Sequence, residues 1–283
     1  MLVKDISDTA RWMAYARALE SQRPDALFSD PLARRLAGEA GEAIARGIGQ
    51  AEFIARSIAV RTVVLDELIA QTVQRHGIDL VLNLAAGLDT RPWRLALPAS
   101  LRWLDVDLPD ILRYKSSVVS GESASCQYDV VHADVTEASG RANAFARCAD
   151  ARRALVVTEG FLVYLTPEQV TALARDLRAQ SAFQWWLTDL TGPRALDMLQ
   201  RVWGPMFRDA RFQFGPRDSV GFFQKLGWRE ESFRSSREEA ARLNRDTPMP
   251  LLSRVLLRLS SASFREEFRR LSGVAVLARA DVS

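Results

Sequence analysis

Cysteine, histidine and long apolar runs are scarce in this 283-residue sequence, and each scarcity excludes a class of protein. No stretch approaches the ~18 consecutive apolar residues of a membrane helix. The first residues also lack the apolar core of a secretory signal. The two cysteines, Cys126 and Cys148, have neither metal-ligand spacing nor a disulfide pattern. We therefore expect a cytoplasmic protein with reduced thiols, no metal and no membrane association.

Lysine is also rare, with three residues, although the formal net charge is +3 because arginine is abundant. The arginines alternate with acids, as in "FREEFRRL" (264–271), which is typical of solvated helix faces. A nucleic-acid surface needs its cations clustered on one face. The charge pattern therefore argues against nucleic-acid binding. The apolar share of 48% is that of a globular protein with a sizeable core.

The order of predicted elements indicates an α/β protein. Residues 1–76 have helical periodicity, with Asp30 as a predicted N-cap before Pro31, and Gly77 ends the last of these helices. Beyond residue 77, short apolar strands alternate with helices, which predicts a doubly wound, mostly parallel sheet of seven strands. The strands are expected at 80–84, 101–106, 128–133, 154–160, 183–190, 228–233 and 273–279, and helices at 109–119, 166–180 and 217–227.

No repeat or linker divides the chain, so we predict a single domain over 1–283. Residues 1–76 would form a helical extension or lid, and 77–283 the α/β core. An aromatic-rich stretch, 191–216, interrupts the alternation of strands and helices. Its aromatic residues would either line an apolar substrate cavity or belong to a surface helix packed on the sheet; they are Trp203, Phe207, Phe212 and Phe214.

The segment "NLAAGLDTRPWRL" (83–95) follows the first strand and has the position of a nucleotide-binding turn. The interval from Gly87 to Asp107 fits a unit in which an acid after the second strand binds ribose. A dinucleotide loop would carry several glycines to cradle pyrophosphate, but this loop has Asp89 at the third glycine position. An acid there repels pyrophosphate and favours a cofactor with a positive centre and no phosphate. Charge thus favours S-adenosylmethionine over NAD.

The same segment resembles the N-L-G-A-G-x-D-T-R-x-[YW]-R-L motif of the leucine carboxyl methyltransferase family. Blocks at 9–33, 60–69, 105–115, 132–136 and 157–170 resemble the family's other blocks in the same order. The resemblance implies a Rossmann-like class I methyltransferase fold that uses S-adenosylmethionine. The family includes tetracenomycin-type polyketide carboxyl O-methyltransferases.

The resemblance also implies a cofactor site. Arg17 and Arg61 match the residues that hold the cofactor's carboxylate, a role suited to a guanidinium. Ala85 stands where the family has its first glycine, so a left-handed backbone there would be strained. The other matches are Ala86, Gly87 and Asp89 in the turn, Asp105 and Asp107 for ribose with either able to face it, Asp134 and Val135 for adenine, and Glu159 for the cofactor's amino group or sulfonium.

The chemistry expected at the acceptor needs no general base if the acceptor is a carboxylate, which is ionised near pH 7. This agrees with the two histidines, His76 and His132, since neither lies in a catalytic setting. We expect Arg91 to pair with the acceptor carboxylate and Tyr164 to hydrogen-bond it. The alternatives are a salt bridge between Arg91 and Asp89 and a packed core tyrosine.

The sequence therefore predicts an S-adenosylmethionine-dependent O-methyltransferase that acts on a carboxylate of a small hydrophobic acceptor of secondary metabolism. Three alternatives remain: an enzyme acting on a protein C-terminal carboxylate, an enzyme acting on a phenol or hydroxyl, and a non-catalytic protein that binds this cofactor or a nicotinamide. If the N-terminal helices close over the cofactor, deletion of residues 1–25 abolishes cofactor binding.

Overall fold

A seven-stranded sheet forms the centre of the computed structural model, which describes residues 6–47, 51–204, 211–246 and 256–281. The strand order is β3-β2-β1-β4-β5-β7-β6, and β7 runs antiparallel to both of its neighbours. This confirms the predicted α/β class and the mostly parallel sheet. The strands are β1 (Leu80–Leu84), β2 (Arg102–Asp107), β3 (Gln127–His132), β4 (Ala154–Thr158), β5 (Phe183–Thr191), β6 (Trp228–Ser235) and β7 (Ser272–Arg279).

Helices cover both faces of the sheet, and every residue of β1 and β4 is buried. Strands covered on both faces read as continuous apolar runs, as these two do. Side chains alternate between the faces: Leu80 and Leu82 pack in one core cluster and Val81 in the other. The helices are α1 (Ile6–Ser21), α2 (Ala33–Gly47), α3 (Ala51–His76), α4 (Arg91–Arg94), α5 (Pro109–Val119), α6 (Ala138–Ala146), α7 (Pro167–Ala179), α8 (Pro193–Val202), α9 (Ser219–Gln224), α10 (Ser236–Arg242) and α11 (Ala262–Arg269), with a 3-10 helix at Leu162–Tyr164.

Local capping signals explain where several helices begin and end. Thr166 and Gln169 form a reciprocal capping box at the start of α7. Gly77 and Gly227 have φ values of +61° and +82°, the left-handed geometry that glycine adopts without strain. The Asp30 carboxylate accepts a hydrogen bond from Ala33 N at 3.0 Å, so α2 begins two residues after the predicted Pro31.

The described part of the aromatic-rich stretch 191–216 includes a helix at Pro193–Val202. A surface helix was one of the two alternatives that the sequence left open for this stretch. This helix, α8, has no buried side chain, whereas Phe212 and Phe214, in the next described residues, are buried. Phe214 packs in the core beside Phe222 and Phe223. Phe207 lies outside the described residues.

The N-terminal hairpin of α1 and α2 is fixed to the far end of the chain by one buried ion pair. Arg245, which follows α10, donates to Glu20 at 2.7 Å, and both side chains are 3% exposed. Arg245 also contacts Asp25 at 3.0 Å. Removing one partner of a buried ion pair typically costs several kcal/mol of stability, so this contact ties the hairpin to the residues after α10.

No helix among the described residues has the length and apolar character needed to cross a membrane. No group of three histidine, cysteine or acidic side chains among them has the geometry of a metal site.

Candidate active site

A cavity of about 830 Å³ lies at the carboxyl ends of β1, β2, β4 and β5 and is covered by α1. In the sheet, β2 pairs with one side of β1 and β4 pairs with the other side. The cavity therefore lies next to β1, where the strand order reverses. Ligands bind at such switch points in open α/β sheets. The volume is in the upper part of the roughly 300–1,000 Å³ range of small-molecule sites.

The turn after β1 presents its backbone to this cavity. Ala85 and Gly87 both have positive φ, 54° and 51°. Gly87 N donates to Asp107 Oδ2 at 2.6 Å, and Leu108 N donates to Asp107 Oδ1 at 2.7 Å. Burial raises the pKa of Asp107, although these two amide donors act in the opposite direction. The turn and the end of β2 are therefore fastened to each other, with Asp107 and Ala86 on the cavity wall.

Asp105 and Asp107 have different roles, although both lie on one side of β2. Asp105 is fully buried and accepts hydrogen bonds from Asn83 at 2.9 Å and from Tyr128 at 2.9 Å, and it forms an ion pair with buried Lys115. Asp107 follows it at the strand end and lines the cavity, whereas Asp105 does not. The structure therefore places Asp105 inside the protein, and of the two acids offered for ribose only Asp107 faces the cavity.

Arg91 is an internal cation of the site. Its side chain is 2% exposed, and its guanidinium donates to Asp66 at 2.7 Å, Asp89 at 2.7 Å and Glu159 at 2.8 Å. The salt bridge to Asp89 is the alternative that the sequence kept open. Burial acts to raise the pKa of Asp89, but Arg91, Lys115 and Arg94 outweigh it and hold that pKa well below its usual range.

Arg61 joins two further strand ends. Its Nε donates to Glu159 at 3.1 Å and its Nη1 to Asp189 at 3.0 Å. Burial opposes ionisation of Glu159, yet Arg91 and Arg61 hold the pKa of Glu159 below its ordinary value. Burial raises the pKa of Asp189, which also accepts from Gly160 N at 2.8 Å. Asp189 was not predicted, although an acid in the strand "FQWWLTDL" (183–190) was the available signal.

The remaining predicted cofactor residues also line the cavity. Arg17 of α1 donates to Asp30 at 2.9 Å and to the Leu88 carbonyl at 2.6 Å, which joins the N-terminal helix to the turn after β1. Asp134 is exposed and accepts from the Thr136 amide and hydroxyl, so it also caps its own loop. Val135 beside it is buried.

The other side of the cavity is apolar and comes from segments far apart in sequence. Trp12 of α1 lies against Trp203 after α8, with ring centroids 5.5 Å apart. Tyr164 stacks on Phe212 at 5.3 Å, and burial raises the pKa of Tyr164 to about 12. Of the four aromatic residues offered as cavity lining, Trp203 and Phe212 are confirmed as such, while Phe214 belongs to the core.

The strand order and the position of the cavity are those of the class I methyltransferase fold. Two solved structures share the architecture: a methyltransferase from Thermobifida fusca, with a TM-score of 0.62 and 16% identity over 99% of this chain and 96% of that one, and a DUF574 family protein from Streptomyces avermitilis, with a TM-score of 0.60 and 15% identity over 96% and 97%. At these identities the likeness concerns the fold alone.

The family follows from sequence comparison. The leucine carboxyl methyltransferase family matches residues 10–178, and the chain belongs to this family. Relatives that carry the name S-adenosyl-L-methionine-dependent methyltransferase occur in Streptomyces coelicolor, 34% identical over 86% of this chain and 89% of that relative, in Frankia alni, 32% over 87% and 88%, and in Parafrankia, 36% over 62% and 60%. The chain is an S-adenosylmethionine-dependent methyltransferase, as the resemblance of its motifs predicted.

Proposed function

We propose that this enzyme transfers the methyl group of S-adenosylmethionine to the carboxylate of a small hydrophobic acid. The observation that carries the proposal is the division of one cavity into two parts. One part is lined by paired charges at the strand ends, and the other by the aromatic pairs Trp12–Trp203 and Tyr164–Phe212. The first part suits the cofactor and the second suits an apolar acceptor.

The charged part fits the cofactor at several groups. Asp107 stands at the end of β2, where an acid accepts hydrogen bonds from ribose hydroxyls. Asp134 and Val135 lie on the wall where the adenine would bind. Arg17 would hold the carboxylate, since its Nη1 has no acceptor within hydrogen-bond distance in the described part of the chain. When bound, S-adenosylmethionine supplies an electrophilic methyl group on a positively charged sulfur.

The acids of this part support a cationic ligand. Asp89 and Glu159 have lowered pKa values, so both are ionised at neutral pH. A pyrophosphate brought to these carboxylates would meet repulsion at close range, whereas an ammonium or sulfonium would be attracted. Arg61 and Arg91 keep the two acids fixed beside the cavity.

The proposed reaction needs orientation more than proton transfer. A carboxylate oxygen forms its bond to the methyl group while the sulfur–methyl bond breaks and its electron pair stays on sulfur, so no proton leaves. Holding the oxygen in line with that bond and excluding water are the main contributions available to the protein. Tyr164, with a pKa of about 12, stays protonated at neutral pH and can donate a hydrogen bond to the carboxylate, but it cannot accept a proton from a phenol.

The helical lid is part of the same proposal. Trp12, Met13 and Arg17 of α1 line both parts of the cavity, which supports a role for residues 1–76 in closing it. Loss of cofactor binding on deletion of residues 1–25 remains the expected outcome.

The test combines binding with product chemistry. Calorimetric titration with S-adenosylmethionine and with NAD should show binding of the first alone. The enzyme is then incubated with radiolabelled cofactor and matched apolar acids, phenols and alcohols, and the labelled product is treated with base. Base-labile label from acids supports the proposal, because methyl esters hydrolyse and methyl ethers do not. Label that is stable to base, from a phenol or alcohol, would contradict the choice of acceptor.

A further inference from the structure

We infer that Arg211, rather than Arg91, is the cation that pairs with the carboxylate of the acceptor. This inference rests on the proposed function and assigns the residue that selects an acid over an uncharged molecule of the same shape. Arg211 is exposed and lines the cavity.

The arginines that line the cavity differ in whether the protein provides a carboxylate partner for them. Five arginines line it, and four of them have carboxylate partners: Arg17 with Asp30, Arg61 with Glu159 and Asp189, Arg91 with Asp66, Asp89 and Glu159, and Arg94 with Asp66. Arg211 has no carboxylate within 4.0 Å in the described ranges of the chain. Among the arginines that line the cavity, Arg211 is thus the one that has no carboxylate partner in the described residues.

The segment that carries Arg211 is fastened to the wall of the cavity by hydrogen bonds. The backbone of Gln213 donates to the Val163 carbonyl at 2.7 Å, and its side chain donates to the Tyr164 carbonyl at 2.8 Å. The Phe212 carbonyl accepts from the Gln200 side chain at 2.8 Å. These bonds fasten the segment that carries Arg211 to the 3-10 helix and to α8. The backbone that carries Arg211 is therefore held next to the apolar part of the cavity, where Phe212 stacks on Tyr164.

A guanidinium binds a carboxylate through two parallel hydrogen bonds, which makes this pair stronger than a hydrogen bond between uncharged groups. An alcohol of the same length gains the apolar contacts but not the ion pair. Methylation removes the charge from the acid, so the ester loses this ion pair and binds more weakly. One residue would then favour binding of the substrate and release of the product.

The experiment uses the full chain saturated with S-adenosylhomocysteine, and decanoate and decanol as probes in calorimetric titrations. The variants are Arg211→Met and Arg211→Lys, and the matched control is Arg217→Met. Arg217 is six positions away, is also exposed and has no ion-pair partner in the described residues, but it does not line the cavity. We expect Arg211→Met to weaken decanoate binding at least ten-fold and decanol binding less than two-fold, with Arg211→Lys intermediate and Arg217→Met unchanged.

The outcomes separate this inference from the proposed function. Unchanged decanoate affinity in Arg211→Met, or an equal loss for decanol, would overturn the assignment of Arg211 while leaving the methyltransferase reaction intact. Absence of decanoate binding by the parent protein would also overturn it. Failure of the parent to bind S-adenosylhomocysteine would instead remove the proposed function itself. A further supporting readout is the methyl ester of decanoate, whose affinity should be insensitive to Arg211→Met.

Discussion

The charged and apolar parts of the cavity are built on opposite principles. In the charged part, Arg61 and Arg91 meet carboxylates that the protein itself provides, so the site is electrostatically organised before any ligand arrives. In the apolar part, aromatic rings meet each other, and Arg211 has no carboxylate partner among the described residues. Under the proposed function, the charged part is organised in advance for the cofactor. In the apolar part, the acceptor itself would supply the carboxylate partner of Arg211.

The largest effect should come from breaking the charged part at its centre. Arg91→Met leaves Asp66, Asp89 and Glu159 without their shared cation inside the protein. Removal of one partner from a buried ion pair typically costs about 3–5 kcal/mol, so the free energy of unfolding measured in urea should fall by about this amount. The control is Arg34→Met, since Arg34 is an exposed partner of Glu42 and such solvent-exposed pairs contribute little to stability. Equal losses in the two variants would contradict this account of Arg91.

The next prediction separates the two neighbouring acids of β2. Asp105→Asn leaves Lys115 buried without its carboxylate, and it should lower the free energy of unfolding by about 3 kcal/mol or more. Asp107→Asn should instead keep that stability at pH 7, because burial penalises the charged form of Asp107, while cofactor affinity falls about ten-fold, or roughly 1.4 kcal/mol.

The pH dependence of the Asp107→Asn variant provides its control. A carboxyl whose pKa is raised on folding contributes stability below its unfolded pKa, and that contribution is lost as the pH rises through the folded pKa. The stability of Asp107→Asn relative to the parent should therefore increase as the pH rises from about 3 to 7, in urea unfolding at each pH. A relative stability that decreases over this range would contradict the placement of Asp107.

A smaller effect is expected in the apolar part. Trp203 contacts Trp12 and lines the apolar part of the cavity, so Trp203→Leu removes a ring on which an aromatic acceptor could pack. An aromatic pair is worth about 0.5–1.5 kcal/mol beyond its buried area. The affinity for an aromatic acceptor should therefore fall by roughly two- to twelve-fold, with the dissociation constant of S-adenosylmethionine unchanged. Titrations of each ligand against the parent and the variant check this. A parallel loss of cofactor affinity would mean that the two parts are not separate.

The smallest effect concerns the turn after β1, where two positions offer a matched pair. Ala85 and Gly87 have nearly the same positive φ, which costs a residue other than glycine about 1–2 kcal/mol. Ala85→Gly relieves this strain but adds about 0.5–1 kcal/mol of backbone entropy cost, so stability should rise by at most about 1.5 kcal/mol and cofactor affinity should stay equal or improve. Gly87→Ala should lose about 1–2 kcal/mol by conformation, since its added Cβ would meet only Ala10 Cβ at 3.6 Å. Thermal unfolding of both variants measures the contrast.

The charged part could largely be predicted from the sequence because its residues lie in contiguous segments. Gly87 and Asp89 fall in one motif, and Glu159 comes directly after a strand, so the parallel sheet brings them to one edge. The apolar part could not be predicted in this way. Trp12 and Trp203 are 191 positions apart and meet because α1 and α8 both cover the same edge. Likewise, alternation along β2 places Asp105 and Asp107 on one side, but only packing around Lys115 decides which of them is enclosed.

The ion pair between Glu20 and Arg245 has a consequence for the synthesis of the chain. The two residues are 225 positions apart, so the N-terminal hairpin leaves the ribosome long before its partner exists. At about 5–20 residues per second, this interval is roughly 10–45 s. During that time α1, whose residues line the cavity in the folded protein, is without this ion pair. Because Arg245 is made late in translation, any chaperone that shields the nascent hairpin acts before this ion pair exists.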